Sequence, residues 1–136
     1  MPGADAPAAR LLAAARALLP SAAARYSHFR VAAVLEDASG QSHPGVNVES
    51  VSYGLTICAE RVALSGALTR GAKEFRSIAV VADRARPVLP CGACRQLLLE
   101  YAPDLVLILE GADGAPESIP LRTLLPRPFL DLGPHS

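Results

Sequence analysis

The spacing of apolar residues along the chain predicts alternating helices and strands. Leu and Ala recur at helical intervals in the first segment, which Pro20 ends. The predicted helices lie at residues 6–19, 58–68, 91–101 and 121–125. Runs of Val, Ile, Leu and Ala predict strands at residues 31–35, 45–49, 77–82 and 105–109. Residues 111–118 are predicted to form a loop. Strands that alternate with helices indicate an α/β chain, in which crossover helices cover a sheet.

The second predicted strand has an unusual polar face. Alternation along the strand places Val46 and Val48 on one side and Asn47 and Glu49 on the other. Two polar side chains on one face of a short strand require an explanation.

Composition narrows the classes of protein. The chain has 136 residues, of which 51% are hydrophobic and 19% charged, so we expect one folded domain spanning residues 1–136. Thirteen Lys and Arg balance thirteen Asp and Glu, which argues against a nucleic-acid partner because phosphate binding needs excess positive charge. Aromatic residues make up only 4% and Trp is absent, so a base-stacking platform for single strands is not expected.

Cellular location follows from three features of the sequence. The first five residues lack the basic start of a secretory signal, and Arg16 interrupts the first apolar stretch. No run approaches the roughly 20 apolar residues that span a bilayer, so no membrane association is expected. An odd number of cysteines, three, disfavours a disulfide framework. We therefore expect a cytoplasmic protein.

All three cysteines lie in two short motifs, each of which begins a predicted helix. One motif is Cys58-Ala59-Glu60 and the other is Pro90-Cys91-Gly92-Ala93-Cys94. Cys91 and Cys94 share one helix face, and Cys58 can supply a third thiolate. Three protein ligands are typical of catalytic zinc, which keeps a fourth position for water and lowers the pKa of that water toward about 7.

Three thiolates concentrate negative charge, and the sequence offers two sources of compensation. Both helices direct the positive ends of their dipoles toward the cysteines, and Arg61 lies on the same helix face as Cys58. Glu60 is placed to carry protons. Two other interpretations of the cysteine motifs remain open. One is a structural zinc site completed by His28, His43 or His135, and the other is a zinc-stabilised interaction module without catalytic activity.

The two motifs together match the three-cysteine form of the zinc-deaminase signature. From Tyr26 to Phe129 the chain resembles the small, three-cysteine cytidine deaminases. The resemblance rests on residues 26–31 (Tyr-Ser-His-Phe-Arg-Val), 45–61, 90–96 and 124–129. It implies a three-layer α/β/α fold with a mixed central sheet of about five strands.

The resemblance also implies the chemistry. Cys58, Cys91 and Cys94 would bind one Zn²⁺ per chain, Glu60 would protonate ring N3 and carry protons to the departing ammonia, and Arg61 would hydrogen-bond to the thiolates. The implied reaction is hydrolytic deamination of cytidine and 2′-deoxycytidine to uridine and 2′-deoxyuridine, as in pyrimidine salvage.

The remaining implied contacts concern substrate binding and assembly. The Ala59 N–H would meet the pyrimidine O2, Asn47 and Glu49 would hold the ribose 3′-hydroxyl, and Phe29 would pack on the pyrimidine. The family is typically a homotetramer. Tyr53 and Phe129 resemble residues borrowed across subunits, although ordinary interface or core aromatics would look the same.

Arg30 departs from the family pattern, which usually has Pro at this position. It is either an exposed charge at the start of a strand or a contact near the sugar that alters substrate preference, even toward a 5′-phosphate. A rival with the same zinc chemistry is a deaminase of blasticidin S or a similar nucleoside-like antibiotic. The polar pair at positions 47 and 49 favours the nucleoside.

Overall fold

The computed structural model describes residues 2–133, with side chains from Ala6 onward. Three helices and five strands make up the fold. The helices are α1 (Pro2–Leu18), α2 (Ala59–Thr69) and α3 (Gly92–Tyr101). The strands are β1 (Val31–Asp37), β2 (Ser42–Val46), β3 (Phe75–Ala82), β4 (Val106–Glu110) and β5 (Pro116–Pro120). Short 3₁₀ helices span Leu19–Ser21, Tyr53–Leu55 and Leu121–Leu124.

The strands form one mixed sheet in the order β2-β1-β3-β4-β5. Only β3 and β4 run parallel, and α3 connects them, as a parallel pair requires. The other neighbours are antiparallel. Pro44 lies inside β2, where its missing N–H is tolerated because β2 is an edge strand.

Each face of the sheet packs against different helices, which confirms the expected three layers. On one face Ala33, Leu35, Ile78 and Val80 contact α2 and α3. On the other face the neighbouring strand residues contact the apolar stripe of α1; these residues include Ala32, Val34, Ala79, Val81 and Ile108. The central strands are therefore apolar on both sides, and this explains why their sequences are continuous runs of apolar residues.

Two strand predictions were wrong in part. The returning strand is Ser42–Val46 and not residues 45–49, so Asn47 and Glu49 follow β2. Isolated bridges join Val48 to Ala23 and to Ile57, which keep this segment extended. Residues 111–118 are not all loop, because Pro116–Pro120 forms β5 against β4. Strand β5 is an edge strand with mostly exposed side chains. Its two prolines and its polar residues give it the sequence pattern of a loop, so the sequence alone does not indicate a strand.

Strand β2 and helix α2 approach each other closely at Gly45. A Cβ at this position would lie 2.6 Å from the Ala63 nitrogen and closer still to the Ala59 carbonyl oxygen. The neighbouring side chains of α2, Ala59 and Ala63, are small and fully buried. Only glycine therefore allows the first turn of α2 to lie directly on the sheet.

Among the described residues, no helix is both long and apolar enough to cross a membrane.

We expect Gly45→Ala to lower the free energy of unfolding by about 1–3 kcal/mol, because the added methyl group meets backbone atoms that must shift. Urea denaturation measures the change. Gly54→Ala is the matched control, because a Cβ at Gly54 meets nothing within 4 Å. Equal stabilities of the two variants would contradict the close contact between β2 and α2.

Candidate active site

The N-terminal ends of α2 and α3 bring the cysteine motifs together. Cys58 is the N-cap residue of α2 and Cys91 that of α3, both with extended backbone. Cys94 lies in the first turn of α3 and is fully buried. Since Ser, Thr, Asp and Asn are the usual N-caps, two cysteines in this position leave the N–H groups of both helices next to sulfur.

The three sulfurs form one cluster. The Sγ atoms of Cys58 and Cys91 are 3.9 Å apart, and those of Cys91 and Cys94 are 3.5 Å apart. All three Sγ atoms lie within 4.8 Å of one another. A disulfide needs about 2.05 Å, whereas two thiolates on a tetrahedral zinc ion at about 2.3 Å are about 3.8 Å apart. The cluster therefore fits a single zinc ion.

The histidines considered as a fourth ligand lie elsewhere. The buried His43 ring contacts Asp37 Oδ2 at 2.8 Å, and its Nδ1 accepts a hydrogen bond from Arg70 Nε at 3.2 Å. His28 is exposed and lines a different cavity. His135 is outside the described residues. Within residues 6–133 the cluster that could hold a metal thus consists of three cysteines, and three protein ligands are typical of catalytic zinc.

Arg61 supplies positive charge beside the thiols. Its Nη2 donates to Cys58 Sγ at 3.9 Å and to the Thr56 carbonyl at 3.3 Å. Hydrogen bonding to Cys94, followed by that to Arg61, lowers the pKa of Cys58 to about 5 despite its partial burial. The hydrogen bond with Cys58 and burial raise the pKa of Cys94. The cluster is therefore arranged to hold thiolate at Cys58.

Glu60 is buried beside the cluster, with 4% of its surface exposed. It lies in the first turn of α2 and lines a cavity of about 200 Å³ together with Cys58 and Cys91. Burial, with a smaller contribution from the charge of Cys58, raises the pKa of Glu60 to about 7. The Glu60 carboxyl group is therefore next to the three cysteines, and it lines a cavity that a ligand can enter.

The same cavity gathers most of the residues singled out from the sequence. Phe29, Asn47 and Ala59 line it with Glu60. The structure adds four residues that the motifs do not single out: Val31, Thr56, Val88 and Leu89. Leu89 is 47% exposed although apolar, and its position directly before Pro90 is the only sequence signal for it. A flat apolar ring fits between such walls.

Asn47 and Glu49 both bind the backbone that leads into β1. The Asn47 side chain accepts from the Val31 N–H at 3.0 Å and donates to the Phe29 carbonyl at 2.9 Å. The Glu49 carboxylate accepts from the N–H groups of Tyr26 and Ser27, each at 3.0 Å.

The Ser27 hydroxyl also donates to Glu49, and this hydrogen bond is the main cause that lowers the carboxyl pKa. Glu49 lines a second cavity, of about 380 Å³, which adjoins the first at Thr56. Asn47 thus lines the smaller cavity and Glu49 the larger one, and Thr56 lines both.

Tyr53 and Phe129 are not brought into the cavity that holds Glu60. Tyr53 is 83% exposed and lines the larger cavity. Phe129 is 62% exposed, and its backbone N–H donates to Gln96 Oε1 at 3.0 Å. Arg30 is exposed as well and lines neither of these two cavities.

Comparison with known proteins assigns the family. The sequence model of the cytidine and deoxycytidylate deaminase zinc-binding region matches residues 7–110. The chain belongs to this family. Cytidine deaminase of Halalkalibacterium halodurans is 47% identical over 105 residues, 76% of this chain and 80% of that protein. The crystal structure of cytidine deaminase from Burkholderia pseudomallei has a TM-score of 0.83 and 43% identity, with 88% of this chain and 97% of that one covered.

A relative with a different name matches a shorter stretch. Blasticidin-S deaminase of Bacillus cereus is 35% identical over 88 residues, 59% of this chain and 63% of that protein. Family membership and the structural match confirm the predicted α/β deaminase fold and a zinc-dependent deaminase. Zinc is the cofactor, since the family is zinc-binding and the cysteine cluster fits this ion. The roles of the individual residues remain predictions.

We expect Arg61→Gln to weaken zinc binding by about 10–100-fold, because the partner of a metal-ligating group is lost. Competition with a chromogenic chelator measures the zinc affinity. Arg127→Gln is the matched control, since Arg127 is exposed and remote in sequence from both motifs. Unchanged zinc affinity in Arg61→Gln would mean that the two helix N-termini alone offset the thiolate charge.

Proposed function

We propose that this chain hydrolyses cytidine and 2′-deoxycytidine to uridine and 2′-deoxyuridine with release of ammonia, in pyrimidine salvage. The observation that carries the proposal is buried Glu60 beside three clustered cysteines, in the wall of a cavity that also holds Phe29 and Asn47. Acid–base chemistry and a place for a pyrimidine ring thus coincide. The reduced cysteines agree with a cytoplasmic location.

Cys58, Cys91 and Cys94 would hold one zinc ion per chain. When bound, the ion supplies Lewis-acid activation of a water molecule near neutral pH. The three thiolates would leave the site with excess negative charge. The N-terminal ends of α2 and α3 and the Arg61 guanidinium offset that charge, because all three lie at the sulfurs.

Glu60 would move the protons. It takes one proton from the attacking water and passes it to ring N3; it then takes the remaining proton from the hydroxyl formed at C4 and passes it to the departing amine, so that water and cytidine yield uridine and ammonia. Burial within the cavity keeps bulk water from competing for these protons. Its place in the first turn of a packed helix holds the carboxyl group in one position.

The remaining site residues would position the nucleoside. Phe29 packs on the pyrimidine, and the Ala59 N–H, which is one of the unpaired donors at the start of α2, meets O2. Asn47 and Glu49 hold the 3′-hydroxyl with the hydrogen-bonding capacity that their backbone contacts leave. Both sugars carry this hydroxyl, so both nucleosides are accepted.

Self-association into a homotetramer would complete the site. The single chain exposes large apolar side chains in two short segments; these are Val51, Tyr53, Leu55, Phe129, Leu130 and Leu132. Exposed apolar residues concentrated in this way mark interaction surfaces. Tyr53 and Phe129 would then reach the active site of a neighbouring subunit.

A second substrate class is a nucleoside-like antibiotic, because blasticidin-S deaminase of Bacillus cereus is 35% identical to this chain over 88 residues. The polar pair favours the nucleoside: Asn47 lines the cavity that holds Glu60, Glu49 lines the neighbouring cavity, and both side chains can bind a sugar hydroxyl. A non-catalytic zinc module is disfavoured, since within residues 6–133 the cluster has three cysteines as its ligands.

We expect Glu60→Ala to retain zinc and the folded state but to lose turnover by several orders of magnitude, because a positioned acid–base group contributes about 10²–10⁴-fold and here acts at more than one step. Loss of ultraviolet absorbance by cytidine measures turnover. Glu117→Gln, on an exposed edge-strand position, is the control. Normal turnover in Glu60→Ala would remove Glu60 from the mechanism.

Mixed oligomers test whether Phe129 acts across subunits. We expect Glu60→Ala and Phe129→Ala chains to be weakly active or inactive separately. When they are unfolded together and refolded, some sites combine an intact Glu60 with an intact Phe129 from a neighbour. Activity should then exceed the sum of the two parents. No gain in a mixture shown by sedimentation to be tetrameric would place Phe129 within its own subunit's site or outside catalysis.

A further inference from the structure

A third cavity, of about 500 Å³, lies apart from the cysteine cluster. It is formed by the segment that follows α1 and by the first residues after β3. Its lining residues are Ala22, Ala23, Ala24, Arg25, His28, Arg30, Asp83 and Arg84. We call it the arginine cleft. The reaction described above uses none of these side chains.

The arginine cleft concentrates positive charge in a chain whose net charge is zero. Three arginines face one carboxylate, Asp83, and the Oδ1 atom of that carboxylate already accepts the Arg30 backbone N–H at 3.1 Å. Within the described part of the chain, the Arg25, Arg30 and Arg84 side chains make no ion pair and donate no hydrogen bond. Their donors are therefore free for a ligand.

Two exposed arginines elsewhere on the surface are paired with carboxylates instead. Arg10 pairs with Glu36 at 3.2 Å, and Arg122 pairs with Asp104 at 2.6 Å. Three unpaired guanidinium groups around one cavity repel one another unless an anion lies between them. Their planar donor forks match phosphate oxygens in pairs. The cleft carries a net charge of about +2 without His28, and a phosphate monoester carries about −1.5 to −2 at neutral pH.

The arginine cleft shares a wall with the active site. His28 and Arg30 line the cleft, while Phe29 between them lines the cavity that holds Glu60. His28 has φ = +58°, a left-handed conformation that a non-glycine residue adopts at some cost in energy. Asn47 holds the backbone on both sides of Arg30, through the Phe29 carbonyl and the Val31 N–H.

We propose that the arginine cleft binds a phosphoryl group, held by Arg25, Arg30 and Arg84. The phosphoryl group comes either from free phosphate, which would set the position of Phe29 from outside the active site, or from the 5′-phosphate of a nucleotide substrate. The proposal that the chain binds phosphate depends only on the arginine cleft. The proposed effect of phosphate on catalysis also depends on the proposed function.

Isothermal titration of the zinc-loaded protein with inorganic phosphate at fixed ionic strength tests binding directly. We expect saturable binding that weakens at least tenfold in Arg84→Gln and further in the Arg30→Gln/Arg84→Gln double variant. Arg127→Gln is the charge-matched control and should bind phosphate as the unmodified chain does. No saturable binding, or equal losses in Arg84→Gln and Arg127→Gln, would overturn the proposal.

Kinetics with the same proteins distinguish the two sources. If the phosphate belongs to the substrate, dCMP is deaminated, and the ratio of kcat/KM for dCMP to that for deoxycytidine falls at least tenfold in Arg84→Gln. If free phosphate is the ligand, dCMP is a poor substrate, and phosphate changes KM for cytidine in the unmodified chain but not in the double variant. A chain that deaminates cytidine and shows neither effect would keep its proposed function and refute the coupling between cleft and catalysis.

Discussion

Two helix N-termini, 33 residues apart in sequence, must meet at one point for the three sulfurs to lie within 4.8 Å. The sheet imposes this geometry, because α2 and α3 pack side by side on the same face of β1, β3 and β4. Small residues make the meeting possible. Gly45, Ala59 and Ala63 let α2 contact the backbone of the edge strand, and any larger group there would move the first turn that carries Glu60. The arrangement of the three cysteines therefore depends on a packing contact to which none of the cysteines belongs.

Charge is the second constraint on the site. Three thiolates and a carboxylate this close together repel one another, and the burial of Cys94 and Glu60 by itself favours the protonated forms of these two groups. The N-terminal ends of α2 and α3 and the Arg61 guanidinium supply positive charge that offsets this repulsion. All of these groups lie within the first turns of the two helices or directly before them. The use of cysteines as N-caps is efficient, because the residues at the N-cap positions of both helices are then the proposed metal ligands as well. Loss of the metal is consequently expected to affect these two helices before α1, which packs on the opposite face.

The sequence was informative where chemistry and periodicity are local. Cys58, Glu60 and Cys91 could be assigned to helix starts because each lies in a short motif before an apolar helical pattern. Strand β5 could not, since Pro116, Pro120 and polar residues look like a loop and become a strand only through pairing with β4. The shift of β2 had the same origin, because Asn47 continues the alternation of the strand although its pairing with β1 ends at Val46. Pairing between strands is a tertiary property and leaves a weak local signal.

The arginine cleft shows the same limit in the functional site. Arg25, Arg30 and Arg84 come from two distant segments, and a balanced net charge conceals their concentration. Of the three arginines, the resemblance to the family singles out Arg30, because the family usually has Pro at this position, and it does not indicate the neighbours of Arg30 in space. In the fold, one short segment separates a cavity with acidic and thiol groups from one with guanidinium groups, and Asn47 binds the backbone on both sides of Arg30, through the Phe29 carbonyl and the Val31 N–H. Since that segment is the wall of both cavities, an anion that orders Arg30 also restricts Phe29. The departure at position 30 is therefore better understood as part of a second binding surface than as an isolated surface charge.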